Sequence, residues 1–79
     1  MRLDKYLKVS RLIKRRTVAN EMCAAGRVTV NDKVAKPGTA LKEGDVLAIS
    51  FGGGPVRVRV VRLAANARKE EAAELYEPL

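Results

Sequence analysis

The hydrophobic periodicity of the chain changes at Gly26, and this change limits the folds that are available to it. Before Gly26, apolar residues recur at intervals of three and four, as in Leu3, Tyr6 and Leu7, which is the spacing of an amphipathic helix. After Gly26, apolar and polar residues alternate, as in the segment Val28–Val30, which is the spacing of a strand. The sequence therefore predicts an α+β domain with its helices first and its sheet second.

Two packed helices are predicted ahead of Gly26. The first runs from Leu3 to Ser10, and Asp4 and Lys8 project from its polar side as a favourable i, i+4 ion pair. Thr17 is the expected N-cap of the second helix, because its hydroxyl can accept a backbone N–H. Gly26 is expected to end that helix in the left-handed conformation. The apolar stripe of the second helix is formed by Val18, Ala19, Met22 and Cys23.

The rest of the chain is predicted to form a small twisted antiparallel sheet and a short C-terminal helix. Asn31-Asp32 forms a tight turn, Val46–Phe51 is a strand, and Val56–Val60 alternates inward valines with outward arginines. The segment Asn66–Tyr76 is rich in Ala and Glu and is predicted to be helical. Its apolar stripe would be formed by Ala72, Leu75 and Tyr76.

The net positive charge of the chain is confined to its first half. Met1 to Lys36 contains ten Lys/Arg and three Asp/Glu, which gives the whole net charge of +7, whereas Pro37 to Leu79 contains six of each. A one-sided positive field attracts polyanions, because each neutralised phosphate releases condensed counterions. The charge distribution therefore predicts binding to nucleic acid, and RNA is the favoured partner.

The residue content argues against several other classes of protein. The chain has one cysteine and no histidine, so it offers no internal disulfide, no metal constellation and little that could catalyse a reaction. No apolar run is long enough for a membrane span or a signal peptide. We expect a cytoplasmic, non-enzymatic protein without a cofactor. We expect one RNA-binding domain over residues 1–79, with a core at 2–51 and the hairpin and C-terminal helix at 52–79.

The candidate RNA-binding residues are the cations outside the first helix and around the second. A helix N-terminus attracts phosphate, and arginines ahead of it add bidentate donors for phosphate oxygens. Alone, the run Lys14-Arg15-Arg16 would fit an ordinary solvated surface, but two helices followed by a hairpin favour RNA binding. The predicted set consists of Arg2, Lys5, Lys8, Arg11, Lys14, Arg15, Arg16 and Arg27.

These features resemble a known family of RNA-binding domains. A helix, a basic turn, a second helix and the run Gly26–Asn31 resemble the domain named after small-subunit ribosomal protein four. The run Lys42–Leu47 is similar to the glycine–aspartate turn before that domain's third strand. Met1–Thr17 and Lys69–Tyr76 extend the resemblance to the RqcP family of short bacterial factors, which are relatives of the heat-shock protein of fifteen kilodaltons.

The resemblance implies a role in ribosome quality control. RqcP-like proteins bind the rRNA and tRNA of obstructed large ribosomal subunits, and they hold peptidyl-site tRNA while an RqcH-like factor directs alanine tailing. Off the ribosome, a monomer is expected. Asp32 departs from the glycine common in the family, which should only stiffen the hairpin, and the long basic extension of the heat-shock relative is missing. The positions that match RNA-contacting residues of the family are Arg2, Lys5, Arg11, Arg15 and Arg16.

Three other functions stay open from the sequence. The chain could be the RNA-binding domain of a larger rRNA-modifying enzyme such as a pseudouridine synthase, although its start and end favour a complete chain. It could also be a general ribosome-associated heat-shock protein. It could instead be a protein adaptor whose acidic tail, with Glu70, Glu71 and Glu74, binds a basic partner.

Several residues have simpler explanations than a functional site. Gly52–Gly54 is expected to be a hairpin loop, because no Lys-Ser follows it at the spacing of a phosphate loop. Cys23 and Tyr6 are expected in the core. A solvated outer face is favoured over an extended RNA surface for Arg57, Arg59 and Arg62.

Overall fold

The computed structural model describes all 79 residues and places two short helices ahead of a five-stranded antiparallel sheet. The helices are α1 (Leu3–Val9) and α2 (Arg16–Ala24), and a one-turn helix, α3 (Lys69–Ala72), follows the fourth strand. This confirms the predicted α+β class. The strands are β1 (Val28–Val30), β2 (Lys33–Val34), β3 (Val46–Phe51), β4 (Gly54–Val60) and β5 (Tyr76–Pro78).

The sheet has the strand order β2-β1-β3-β4-β5, and one of its faces packs into the core. Leu47 pairs with Val58 and Ile49 pairs with Val56, so these four side chains share one face. Leu47, Ile49 and Val58 are buried as predicted, whereas Val56, close to the hairpin tip, is 40% exposed. The prediction of inward valines therefore fails at that end of β4.

The core joins the helices, the sheet and the C-terminal segment in one cluster of 14 buried residues. Tyr6 lies at its centre and is fully buried, and its hydroxyl donates to the Leu75 carbonyl at 2.6 Å. Cys23 is also buried in this cluster, so the core positions predicted for both residues are confirmed. No helix of the chain has the length and apolar content needed to cross a membrane.

Both helices are followed by a residue in the left-handed backbone conformation. After α2, Gly26 has a φ of 76°, its N–H donates to the Cys23 carbonyl, and the Arg27 N–H donates to the Met22 carbonyl, both at 3.0 Å. This confirms Gly26 as the end of the second helix. After α1, the corresponding position is occupied by Arg11, with a φ of 62°.

The turn between β1 and β2 is attached to the start of β3. Asn31 and Asp32 have φ values of 51° and 68°, which confirms the predicted tight turn. The Asn31 amide donates to the Asp45 carboxylate at 3.0 Å, and its carbonyl oxygen accepts the Val46 N–H at 2.9 Å. The side chain of Asn31 thus does more than permit the turn, because it fixes β1 against β3.

The start of α2 differs from the prediction. The helix begins at Arg16, the preceding Arg15 is extended, and no side chain caps the helix. Thr17 is therefore not the N-cap, because it already lies within the first turn. Val18 is 39% exposed, so the buried stripe of α2 is narrower than predicted and consists of Ala19 and Cys23, with Met22 partly buried.

The C-terminal segment also differs from the prediction. Only Lys69–Ala72 is helical, and the chain then forms β5, in which Tyr76 pairs with Val60. The carbonyl of Leu75 accepts the N–H groups of Val61 and Arg62 as well as the Tyr6 hydroxyl. These contacts turn the chain back to the edge of β4, so a helix cannot continue through Tyr76.

Candidate nucleic-acid interface

A buried carboxylate brings two of the predicted RNA-binding arginines together. The side chain of Asp4 is 3% exposed, and it accepts hydrogen bonds from Arg2 Nε at 3.1 Å and Arg2 Nη2 at 3.2 Å. Arg16 Nη2 lies 3.5 Å from the same carboxylate. The Asn20 amide, at 3.3 Å, and the backbone N–H of Lys5, at 2.8 Å, also donate to it. Asp4 therefore links the start of α1 to the first turns of α2.

Asp4 stays ionised in this environment. Burial, the largest single influence, raises the pKa of its carboxyl, but the hydrogen bonds from Arg2, Asn20 and the Lys5 N–H and the charge of Arg16 together lower the pKa below its ordinary value. The predicted pair between Asp4 and Lys8 is wrong, because the carboxylate lies between the helices while Lys8 is exposed to solvent.

The charge of Asp4 also affects the one cysteine. Burial, and then the nearby carboxylate, raise the pKa of the Cys23 thiol to about 11. The thiol is therefore protonated and unreactive at neutral pH.

The two arginines held by Asp4 remain open to solvent. The Arg2 side chain is 55% exposed and that of Arg16 is 48% exposed. A guanidinium carries five N–H donors, and Arg2 uses two of them on Asp4, so the others can reach phosphate oxygens. The pair combines a fixed position with free donors.

The N-terminus of α2, beside these arginines, has free backbone donors. The N–H groups of its first three residues, Arg16–Val18, have no acceptor in the protein. At the start of α1, in contrast, the Leu3 and Asp4 N–H groups donate to the carbonyls of Thr39 and Pro37. Of the two helix starts, α2 is the one that offers unpaired N–H groups and a positive dipole end to an anion.

The remaining predicted cations occupy the same half of the chain but are not all adjacent. Arg27 follows the end of α2 and Arg16 begins it, and this nine-residue helix is about 14 Å long at 1.5 Å per residue. The residues on α1, at its end, and in the connection to α2 are Lys5, Lys8, Arg11, Lys14 and Arg15.

Comparison with known proteins identifies this half of the chain. Residues 1–47 match the S4 domain, and this segment contains all eight predicted RNA-binding residues. The chain is 61% identical over 77 residues to the RQC P-site tRNA stabilizing factor of Halalkalibacterium halodurans, covering 98% of this chain and 88% of that relative. The factor of the same name from Listeria monocytogenes is 60% identical over 76 residues, covering 96% and 83%. The chain belongs to the S4 domain family of RQC P-site tRNA stabilizing factors.

The structural comparison extends beyond residues 1–47 of this S4 domain protein. Heat shock protein 15 of Vibrio cholerae superposes with a TM-score of 0.93 at 29% identity, covering 100% of this chain and 81% of that one. The sheet and the C-terminal segment therefore belong to a fold that the heat shock protein shares.

In this S4 domain protein, two of the three arginines in the segment Arg57–Arg62 are paired with acidic residues. Arg59 Nη1 lies 3.2 Å from the Glu77 carboxylate, and Arg62 Nη2 lies 3.9 Å from that of Glu74. Arg57 is exposed and has no acidic partner. The local acids cancel most of the field here, which supports the interpretation of a solvated outer face.

Asp4 and Asn20 are the residues of this candidate site that the sequence pattern did not identify. Each lies outside the predicted apolar stripe of its own helix, where a polar side chain normally faces water. Their pairing connects residues 16 positions apart, which periodicity within one helix does not report. An acidic residue surrounded by basic ones, as in Arg2-Leu3-Asp4-Lys5, is the available signal for such a bridge.

Proposed function

We propose that this protein is an RNA-binding ribosome quality control factor that binds obstructed large ribosomal subunits and stabilises peptidyl-site tRNA during alanine tailing. The observation that carries this proposal is the Arg2–Asp4–Arg16 group beside the open N-terminus of α2. It occurs in a chain that is 61% identical to a protein named RQC P-site tRNA stabilizing factor. We propose residues 1–79 as one RNA-binding domain.

Binding in this proposal depends on phosphate contacts and on RNA shape. Exposed arginines and free helix N–H groups are donors for phosphate oxygens, which fix orientation without reading a base sequence. Arg2 and Arg16, which together with Asp4 form what we call the Asp4 group, are the centre of this surface, and the other cations extend it along α1 and α2. The proposed RNA-binding residues are Arg2, Lys5, Lys8, Arg11, Lys14, Arg15, Arg16 and Arg27.

The proposed mechanism is stabilisation of one ribosomal state and involves no chemical reaction or cofactor. A bound protein shifts an equilibrium between states only by the difference between its affinities for them. Contacts that span rRNA and tRNA at once exist only while the tRNA occupies its site, so binding would favour that occupied state. The proposed partners are large-subunit rRNA, tRNA and an RqcH-like tailing factor, and the proposed location is the cytoplasm, with a monomer off the ribosome.

A cryo-electron reconstruction of native particles purified through this protein tests the proposal. We expect large subunits that carry peptidyl-site tRNA, with α1 and α2 facing RNA and the sheet arginines facing away. A variant with Arg2→Ala and Arg16→Ala, purified in parallel, should recover few such particles, whereas an Arg57→Ala control should recover them normally. Recovery of protein partners that survives nuclease treatment, without ribosomal RNA, would contradict the proposal and favour an adaptor.

A role like that of heat shock protein 15 is the second candidate, and the TM-score of 0.93 to that protein favours it. The two functions predict different particles. A tailing role requires alanine-tailed nascent chains on the recovered subunits, whereas a general heat-shock role does not. Mass spectrometry of the nascent chains distinguishes them.

A further inference from the structure

Two open depressions lie along the exposed side of α2 and share one residue. The first, about 410 Å³, is formed by Asp4 and Arg16 together with Thr17, Asn20 and Glu21. The second, about 350 Å³, begins at the same Glu21 and continues past the end of α2 to the β3–β4 hairpin. Together they extend along α2 from Asp4 and Arg16 to Arg27, and we call the pair of depressions the α2 groove.

The second depression is lined by both apolar and charged residues. Met22, Ala25 and Phe51 are apolar, Glu21 and Arg27 are charged, and Gly52 completes the lining. A nucleobase has the same character, because its faces are apolar and its edges are polar. Aromatic side chains provide stacking surfaces for unpaired RNA bases.

Phe51 is the aromatic residue placed to stack on a base near the cationic surface. It is partly exposed, at the end of β3 next to α2. Of the two other aromatic residues, Tyr6 is fully buried and Tyr76 lies on the opposite edge strand, β5. Phe51 is therefore the partly exposed aromatic residue that lies beside α2 and Arg27.

The two charged residues of the second depression, Glu21 and Arg27, complement the edges and backbone of a nucleotide. Arg27 is exposed and forms no ion pair, while its backbone is fixed by hydrogen bonds to Met22 and Ser50 at 3.0 and 2.8 Å. The Arg27 guanidinium is therefore carried by a fixed backbone and is free to bind a phosphate. Glu21 also lacks an ion pair, and its carboxylate accepts hydrogen bonds, which suits the exocyclic amino group of adenine, guanine or cytosine.

We propose that the α2 groove binds a single-stranded RNA segment, with phosphates on Arg16 and Arg27 and one unpaired base stacked on Phe51. This inference rests on the proposed RNA-binding function and adds a base-binding subsite to it. A duplex cannot fill the subsite, because its bases are stacked inside the helix. An amino-bearing base is preferred over uracil because of Glu21.

The test uses an oligoadenylate of about six nucleotides and a matched strand in which one base is removed while the sugar and phosphate remain. With the wild-type protein, we expect NMR contacts between the Phe51 ring and adenine protons, and shifted amide signals at Met22, Arg27 and Gly52. Removing the base should weaken binding by roughly 5- to 150-fold, the range of aromatic stacking. Oligouridylate should bind more weakly than oligoadenylate.

Phe51→Leu is the variant that tests the ring, because it keeps an apolar side chain against the core. It should lose affinity for oligoadenylate but bind the strand lacking a base like wild type, with Arg57→Ala as the control for charge. Equal wild-type affinity for the two strands, without contacts to Phe51, would overturn the subsite. The proposed function is judged separately, by the recovery of tRNA-bearing large subunits.

Discussion

Arg11 occupies a backbone conformation that glycine adopts freely and that other residues adopt at a cost of about 1–2 kcal/mol. The corresponding position after α2 is Gly26, and both residues donate to the carbonyl three positions earlier. An arginine in a position where the backbone favours glycine indicates a role for its side chain.

Arg11→Gly should separate the fold from the function. We expect the free energy of unfolding to rise by up to about 1 kcal/mol, because the left-handed strain is relieved, while glycine's freedom in the unfolded chain offsets part of the gain. Binding to tRNA-bearing large subunits should weaken at the same time. Chemical denaturation and a binding assay on the same preparation measure the two effects. Unchanged binding would remove Arg11 from the interface.

Asp4 tests whether the arginine pair must be held in place. Asp4→Ala should lower the free energy of unfolding by about 1–3 kcal/mol, the range for losing hydrogen bonds to a charged group. It removes a negative charge, so net charge alone would strengthen RNA binding. If Asp4 acts by positioning Arg2 and Arg16, the variant binds RNA more weakly instead. Tighter binding would contradict the positioning role.

The pH dependence of stability provides a second measurement on Asp4. Its pKa is lowered in the folded protein, so its stabilising contribution is complete above the unfolded carboxyl value of about 3.9. The contribution is lost as the pH falls through the lower pKa of the folded state. The stability difference between wild type and Asp4→Ala should therefore be constant from pH 7 to about 5 and shrink below about 4. A difference that starts to shrink near pH 6 would contradict this assignment.

Among the secondary-structure elements, α1, α2, β3 and β4 followed from the sequence, whereas the C-terminal segment did not. Local periodicity determines these two helices and two strands, because each presents a regular apolar side to the core. The end of α3 is set by hydrogen bonds to the Leu75 carbonyl, whose donors are residues 6, 61 and 62. A pattern within the segment Asn66–Tyr76 does not contain that information.

The site shows the same division. The basic residues and the end of α2 at Gly26 were apparent from residue type and spacing. The open start of α2 was not, because Thr17 is a favourable cap residue yet lies one residue inside the helix. The bridge from Asp4 to Asn20 depends on how α1 and α2 pack, which only the folded chain reveals.

Tyr6→Phe tests the link between α1 and the C-terminal segment. It removes the hydrogen bond to Leu75 but keeps the ring, so the free energy of unfolding should fall by about 1 kcal/mol.

Burial, and then the charge of Tyr76, raise the pKa of Tyr6 to about 12. The protonated hydroxyl is favoured in the fold, so its contribution is complete below about pH 10 and is lost as the pH rises towards 12. Denaturation of both proteins at pH 7 and pH 11 should therefore show a smaller difference at pH 11. An equal or larger difference would contradict the assignment.

For the whole molecule, the net charge of +7 lies in residues 1–36, which contain α1, α2, β1 and β2, while residues 37–79 are neutral overall. Two of the three arginines in the segment Arg57–Arg62 are paired with Glu74 and Glu77, whereas Arg2 and Arg16 share one carboxylate and retain free donors. An electrostatic interface of this kind makes affinity depend on salt, with each phosphate contact contributing about one unit to the slope of log affinity against log salt.

The salt dependence of binding to large subunits carrying peptidyl-site tRNA tests the central claim, that the Asp4 group is the RNA-binding centre. Arg16→Ala should weaken binding by on the order of 1–2 kcal/mol and reduce the slope by about one unit, because one phosphate contact is lost. Arg57→Ala, which removes the same charge from the sheet, should change both quantities much less. Equal losses in the two variants, or an unchanged slope in Arg16→Ala, would contradict the account.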